Sequence, residues 1–144
     1  MGVEGYDLDK QVFQNLQPGQ QQLGDWKGKA SGIADYVATW GVERFWAMSR
    51  SPLLRGGEVP SAEQGNEEQR SYFAWGVARV VLCQILGKEL NIQANMTTEQ
   101  FQNRFSQLDF RQQVLLSDLL IEISDTIQFW TMRMADANEN NDNV

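Results

Sequence analysis

The chain has 144 residues and a mass of 16.4 kDa, enough for one domain with one hydrophobic core. Its net charge of −7 argues against a free-standing nucleic-acid binder of high affinity, since phosphate contacts supply much of that affinity. The absence of histidine removes the commonest general base and the commonest metal ligand. There is no apolar run of membrane-spanning length and no signal-peptide pattern, and the single cysteine cannot form an internal disulfide. We therefore expect a cytoplasmic protein.

The acidity is concentrated at the two ends of the chain. Between residues 10 and 133, 13 acidic residues face 12 lysines and arginines, so this body has a net charge of −1. A nearly neutral body can still carry a local basic patch.

Apolar spacing in the first third of the chain predicts two helices. The first covers about residues 9–16 and ends at Pro18-Gly19. The glutamine- and glycine-rich residues 20–30 then form a loose connection. The second helix covers about residues 31–49, with Gly41 as a weak point in its middle. Its apolar stripe comprises Ile33, Ala34, Val37, Trp40, Phe45 and Met48.

A loop is predicted over residues 50–60, followed by a third helix. This helix begins at Ser61 or Asn66, because each has a glutamine three residues later, which is a capping-box pattern. It continues to about residue 86 and ends at Gly87-Lys88. Its second half is apolar on most sides, which is typical of a helix at the centre of a bundle.

Two further helices complete the predicted fold. The fourth covers about residues 98–107, and the fifth and longest covers about residues 110–135, each opened by a capping box. The polar residues 137–144 are expected to be a disordered acidic tail. The prediction is an all-α helical bundle of about five helices, forming a single domain over residues 1–136.

Three acidic residues raise the possibility of a metal-dependent enzyme. Asp118, Glu122 and Asp125 fall on one helix face, and Glu122 to Asp125 matches the E-x-x-D half of an all-helical nucleotide pyrophosphohydrolase. That chemistry needs a second cluster, E-E-x-x-E, on a facing helix, and the acids available for it are wrongly spaced: Glu63, Glu67 and Glu68. A solvated acidic face, or one that meets a basic partner, is the favoured interpretation, and no metal or cofactor is predicted.

The basic residues are the better candidates for function. Several flank the end of the second helix, where Gly56-Gly57 would let a phosphate backbone approach closely. Arg79 interrupts the most apolar stretch, so it is either paired with a buried acid such as Asp118 or Glu122, or it protrudes into a groove. Charge and predicted exposure select these candidate nucleic-acid-binding residues: Lys27, Lys29, Arg44, Arg50, Arg55, Arg79, Arg104 and Arg111.

Two segments suggest a family. SYFAWGVARVVL (residues 71–82) and QQVLLSDLLIEISDTIQFW (residues 112–130) together resemble the C-terminal helical domain of the large subunit of type I-D CRISPR effector complexes. In that family the same segment looks to be made separately too, as a small subunit of the Cascade assembly. The resemblance covers whole segments without a short diagnostic motif, so it transfers no functional residue.

The resemblance implies a non-catalytic subunit, present in several copies, that stacks along a guide-RNA filament. Its partners would be other protein subunits including copies of itself, and, through the assembly, guide RNA and target DNA, whose backbone it would contact without sequence specificity. Two alternatives remain open: a helical protein–protein adaptor unrelated to nucleic acid, and the Mg²⁺-dependent pyrophosphohydrolase described above.

Overall fold

The computed structural model describes the backbone of residues 5–50, 62–63 and 65–142 and the side chains of residues 7–50, 62–63 and 65–137. Within these residues there is no strand, which confirms the predicted all-α helical bundle. No described helix has both the length and the apolar character needed to cross a membrane. The helices are α1 (Gly5–Leu16), a 3-10 helix (Gln17–Gln22), α2 (Leu23–Ala30), α3 (Ile33–Trp40), α4 (Val42–Arg50), α5 (Glu67–Arg70), α6 (Phe73–Leu90), α7 (Thr98–Gln107) and α8 (Phe110–Asp142).

Helices α6 and α8 form the centre of the bundle. They pack against each other, and α8 also packs against α1, α2 and α3, while α6 supports α1, α2 and α4. All ten residues from 73 to 82 are buried. The central position predicted for the apolar half of the third helix is therefore confirmed.

The predicted loose connection over residues 20–30 is helical instead. Leu23, Trp26 and Ala30 are spaced three and four residues apart, and all three are buried, so this stretch has a core-facing stripe of its own. The indole Nε1 of Trp26 donates to the carbonyl of Gly19 at 2.9 Å. The sequence conceals the stripe because Gly24 and Gly28 occupy the solvent side of α2 and the glutamines at 20–22 lie in the 3-10 helix just before it.

The predicted second helix is two helices, α3 and α4, that meet at Gly41. Gly41 has φ 89° and ψ 170°, a region of backbone space that only glycine occupies readily. Its N–H closes α3 by donating to the carbonyl of Val37, and its own carbonyl accepts from Phe45 to open α4. The glycine predicted as a weak point is therefore a change of helix direction.

The predicted third helix is also interrupted. Its capping box is formed at Asn66, whose side chain accepts from the backbone N–H of Gln69, and α5 ends after one turn. The rest of the predicted helix is α6, which continues past residue 86 to a left-handed cap at Asn91. Gly87 does not end the helix: it allows a close approach, because a Cβ there would lie 2.8 Å from the carbonyl oxygen of Ile92. The loop predicted over residues 50–60 lies outside the described residues, apart from Arg50.

Helix α7 has the predicted bounds, with the capping box at Thr97. Asp109 and Gln112 form the box that opens α8. Helix α8 continues to Asp142, through most of the predicted disordered tail. Among the residues of this helix whose side chains are described, the last buried one is Met134, and propagation of an existing helix needs only one further hydrogen bond per residue.

Candidate functional site

The predicted basic residues that the structure describes lie on five helices: α2, α4, α6, α7 and α8. On α2, Lys27 is exposed, while Lys29 is half-buried with its Nζ 3.8 Å from the ring centroid of Tyr72. Arg111 is exposed in the first turn of α8. Arg55 lies outside the described residues.

Arg104 has a structural role. Its Nε donates to the carbonyl oxygen of Leu90 at 2.8 Å, and its Nη1 donates to Oε1 of Gln107 at 3.2 Å. The side chain thus satisfies the last carbonyl of α6, which has no partner within its own helix. Two of its five N–H groups are therefore already engaged, which makes it a weaker candidate for a phosphate contact.

Arg44 lies at the most promising surface feature, an open groove between α4, α7 and the first half of α8. Its guanidinium lies 4.5 Å from the ring centroid of Trp40, and no carboxylate of the described residues is within ion-pair distance of it. The groove encloses about 490 Å³. Besides Trp40 and Arg44 its lining includes Glu43, Ala47, Thr98, Gln102, Phe105 and Ser117. We call it the Trp40–Arg44 groove.

Trp40 differs from the other four tryptophans of the chain. The other four donate their indole N–H groups within the structure, whereas Trp40 is 52% exposed at the end of α3. The four bonds are Trp26 to the carbonyl of Gly19, Trp46 to the carbonyl of Met96, Trp75 to the carbonyl of Lys29, and Trp130 to Oδ1 of Asp9. The prediction that Trp40 belongs to the core stripe is wrong, because the turn at Gly41 ends the helix beside it.

A second feature extends along the outside of α8. Four of the five large hydrophobic side chains that are exposed in the described part of the chain lie on this helix, and the fifth is Trp40. They share one face with three exposed acids, because the spacings are three or four residues. We call this face the α8 stripe: Phe110, Val114, Asp118, Glu122, Asp125, Phe129 and Met132.

The stripe and the groove are continuous. Ser117, which lines the groove, lies one turn beyond Val114 and beside Asp118 on α8. At 1.5 Å per residue the stripe extends over about 33 Å. At its far end the Arg133 guanidinium lies 4.7 Å from the ring centroid of Phe129. The sequence analysis did not identify the stripe because its residues have the same helical spacing as the residues of the core face. The signal that could have identified it is the presence of apolar residues on more than one face of α8.

Arg79 occupies neither predicted position. Its side chain is fully buried, so it does not protrude into a groove, and Asp118 and Glu122 are exposed and form no ion pair with it. Burial, and to a smaller extent the nearby charge of Arg50, lower the pKa of Arg79 to about 10. The guanidinium lies 5.8 Å from the ring centroid of Trp46. Arg50 is half-buried rather than exposed.

Among the described residues, the acids that the pyrophosphohydrolase hypothesis invokes do not form one cluster. Asp118, Glu122 and Asp125 face outward from α8, whereas Glu67 and Glu68 lie on α5, which packs against α2. Among the described residues no three acidic or cysteine side chains could hold one metal ion. Comparison of the chain with protein-family models, with curated proteins and with solved structures gives no match.

Proposed function

We propose that the chain is a non-catalytic binding subunit of a multi-protein assembly that engages nucleic acid, as the resemblance to the small subunit of type I-D CRISPR effector complexes implies. The observation that carries the proposal is the grouping of all five exposed large hydrophobic side chains of the described residues on one continuous surface, the α8 stripe with the Trp40–Arg44 groove. A catalytic role would need a cluster of reactive groups, whereas this surface offers aromatic rings, a cation and acids.

The α8 stripe suits a neighbouring protein subunit. Phe110 is 81% exposed, and aromatic anchors of this kind supply most of the binding energy at protein interfaces. A surface about 33 Å long is compatible with the roughly 800 Å² that each partner contributes to a standard interface. The three acids between the apolar ends call for a partner with a basic centre, because unpaired charges buried at an interface oppose binding.

The Trp40–Arg44 groove suits the backbone and an unstacked base of a single strand. An exposed ring offers a stacking surface worth about 1–3 kcal/mol per base without sequence preference, and an arginine beside it can contact a phosphate. For the isolated acidic chain, one such contact gives only weak binding to a nucleic acid. Within an assembly that already holds the strand, the contact becomes effectively intramolecular and gains from the high local concentration.

The protein contact is tested on tagged chain recovered from its own cells by native mass spectrometry, before and after ribonuclease. We expect a large particle with several copies of the chain and a discrete RNA, and loss of the chain from it in the double variant Phe110→Ser, Phe129→Ser. The matched control, Phe110→Leu with Phe129→Leu, keeps the apolar surface and should remain in the particle. Retention of the serine variant would contradict the role of the stripe.

The nucleic-acid contact is tested on the assembled particle by titration with labelled single-stranded DNA. Trp40→Ala with Arg44→Glu should weaken binding by roughly tenfold or more, since one stacked base and one phosphate contact are removed. Lys88→Glu reverses a charge on an exposed residue of α6 outside the groove and serves as the control. Equal affinities for the two variants would remove the groove from the proposal.

The α8 stripe by itself also supports the second candidate, a helical adaptor that binds proteins only. The same experiment separates the two functions. A protein particle that forms through Phe110 and Phe129 but is indifferent to ribonuclease and does not bind DNA identifies the adaptor.

A further inference from the structure

Two arginines on the neighbouring helices α4 and α6 have buried donor atoms without a hydrogen-bond partner. Arg79, on α6, is 0% exposed, and its Nε, Nη1 and Nη2 are all buried with no partner. Arg50, the last residue of α4, has a buried Nη1 that also lacks a partner. Arg50 lies one turn beyond Trp46 on α4, and the Arg79 guanidinium lies 5.8 Å from the ring centroid of Trp46, so the two arginines are neighbours where α4 packs on α6. The contribution of the Arg50 charge to the lowered pKa of Arg79 agrees with this placement.

The chemistry of the surroundings leaves these donors unsatisfied. A guanidinium carries five N–H groups and accepts none, and at a pKa of about 10 Arg79 is charged at neutral pH. The nearby thiol of Cys83, whose pKa burial raises to about 12, is neutral at that pH and supplies no counter-charge. The ring of Trp46 attracts a cation through its face but accepts little from the N–H edges.

Such an arrangement is rare in folded proteins. More than nine in ten buried polar groups have a partner, and a buried charge without one opposes folding. No carboxylate of the described residues lies within ion-pair distance of either guanidinium. Both arginines present donors whose natural complement is an acceptor-only group with a negative charge.

We propose that Arg79 and Arg50 form a binding site for one small oxyanion of the phosphate class, held between α4 and α6. A tetrahedral oxyanion has several acceptor oxygens, so one ion can accept from two guanidinium groups at once and neutralise both charges. This site is separate from the α8 stripe and the Trp40–Arg44 groove. It would make the docking of α4 on the central helix depend on the ion.

The test uses the full chain and inorganic phosphate, with chloride at matched ionic strength as the reference. We expect saturable heat of binding by calorimetry and a rise of several degrees in the melting temperature, because a ligand that binds only the folded state stabilises it. Arg79→Met should abolish both responses while remaining folded, since an apolar side chain of similar length replaces a buried charge. Arg50→Gln should weaken phosphate binding by roughly tenfold or more, and the exposed Arg111→Gln should leave it unchanged.

Two results would overturn the proposal. The first is the absence of a saturable phosphate response in the unaltered chain, or its survival in Arg79→Met, which would mean an adventitious ion only. The second concerns Glu58, the one acid among residues 51–61. If Glu58→Gln and Arg79→Met have strongly non-additive effects on the melting temperature and phosphate has none, the partner is a carboxylate of the chain itself.

Discussion

Cys83 is a residue whose chemistry is set by its surroundings on α6. Burial of the thiol raises its pKa to about 12, an effect that the nearby positive charge of Arg79 partly offsets. Since the thiolate is the reactive form, the native thiol should react with iodoacetamide at pH 8 about two to three orders of magnitude more slowly than the unfolded chain. Alkylation rates in buffer and in urea check this expectation. A native rate within tenfold of the unfolded rate would contradict the burial of the thiol.

The same shift has a consequence for the pH dependence of stability. The folded state holds the Cys83 proton more tightly than the unfolded state, so the stabilising contribution is present below about pH 9 and is lost as the pH rises towards about 12. Arg79 has the opposite effect on the pH dependence of stability, because its pKa in the folded state is lowered to about 10. Its contribution to the free energy of unfolding therefore increases as the pH rises above about 10.

Residue type and spacing alone could not separate the exposed tryptophan from those whose indole N–H groups are bonded within the fold. Trp40 and Trp46 both have helical spacing in the sequence, yet Trp46 is fully buried and stacks on Phe101 with ring centroids 4.0 Å apart. The difference depends on the direction that the chain takes at Gly41, which is a backbone property. Arg79 shows the same limit: its burial without an acidic partner depends on which helices surround α6, whereas the sequence offered pairing with a buried acid or protrusion into a groove.

At the scale of the elements, Gly41 is the residue on which the arrangement of α3 and α4 depends. A Cβ at this position meets no other atom within 4 Å, so the cost of Gly41→Ala is conformational strain alone. A residue other than glycine in this backbone region costs about 1–3 kcal/mol, and we expect the free energy of unfolding in urea to fall by that amount.

Gly28→Ala is the matched control for this change. Gly28 lies within α2, and a Cβ added there would also meet no atom within 4 Å, so alanine should stabilise the chain by up to about 1 kcal/mol. A lower free energy of unfolding for Gly41→Ala and a higher one for Gly28→Ala would establish the turn at Gly41. A Gly41→Ala variant as stable as the unaltered chain would show that α3 and α4 can join without it.

Local signals in the sequence were sufficient for some elements and not for others. The capping boxes at Asn66, Thr97 and Asp109 are formed as predicted, because they depend on side chains only three residues apart. The helix breaks at Gly41 and between α5 and α6 depend on packing between distant segments. The bundle class was predictable from helical spacing, whereas the number and directions of its helices were not.

At the scale of the whole molecule, the net charge is a poor guide to the surface. The acids at the chain ends dominate the total, yet the acids that matter for the proposed function are the three on the α8 stripe. They were predicted as an acidic face that could meet a basic partner, and their exposure agrees with that interpretation. The apolar residues at either end of the stripe, and the groove beside it, could be recognised only once the other helices had covered the inner faces of α8.

The charge pattern of the α8 stripe should prevent two copies of the chain from pairing through it. An antiparallel register that matches Val114 to Phe129 also sets Asp118 against Asp125, and a parallel one sets each acid against itself. Like charges placed across an interface oppose association. The copies within an assembly would therefore meet through other surfaces, leaving the stripe for a basic neighbour.

Removing this repulsion should expose the apolar ends to self-association. The triple variant Asp118→Asn, Glu122→Gln, Asp125→Asn is expected to dimerise at low ionic strength, where repulsion between exposed charges is least screened, under conditions in which the unaltered chain is monomeric. Sedimentation velocity measures the difference. The control neutralises three exposed acids elsewhere, Glu67→Gln, Glu68→Gln and Glu99→Gln, and should stay monomeric. Dimerisation of both variants would indicate a general effect of net charge, and dimerisation of neither would show that the apolar ends of the stripe are too small to bind each other.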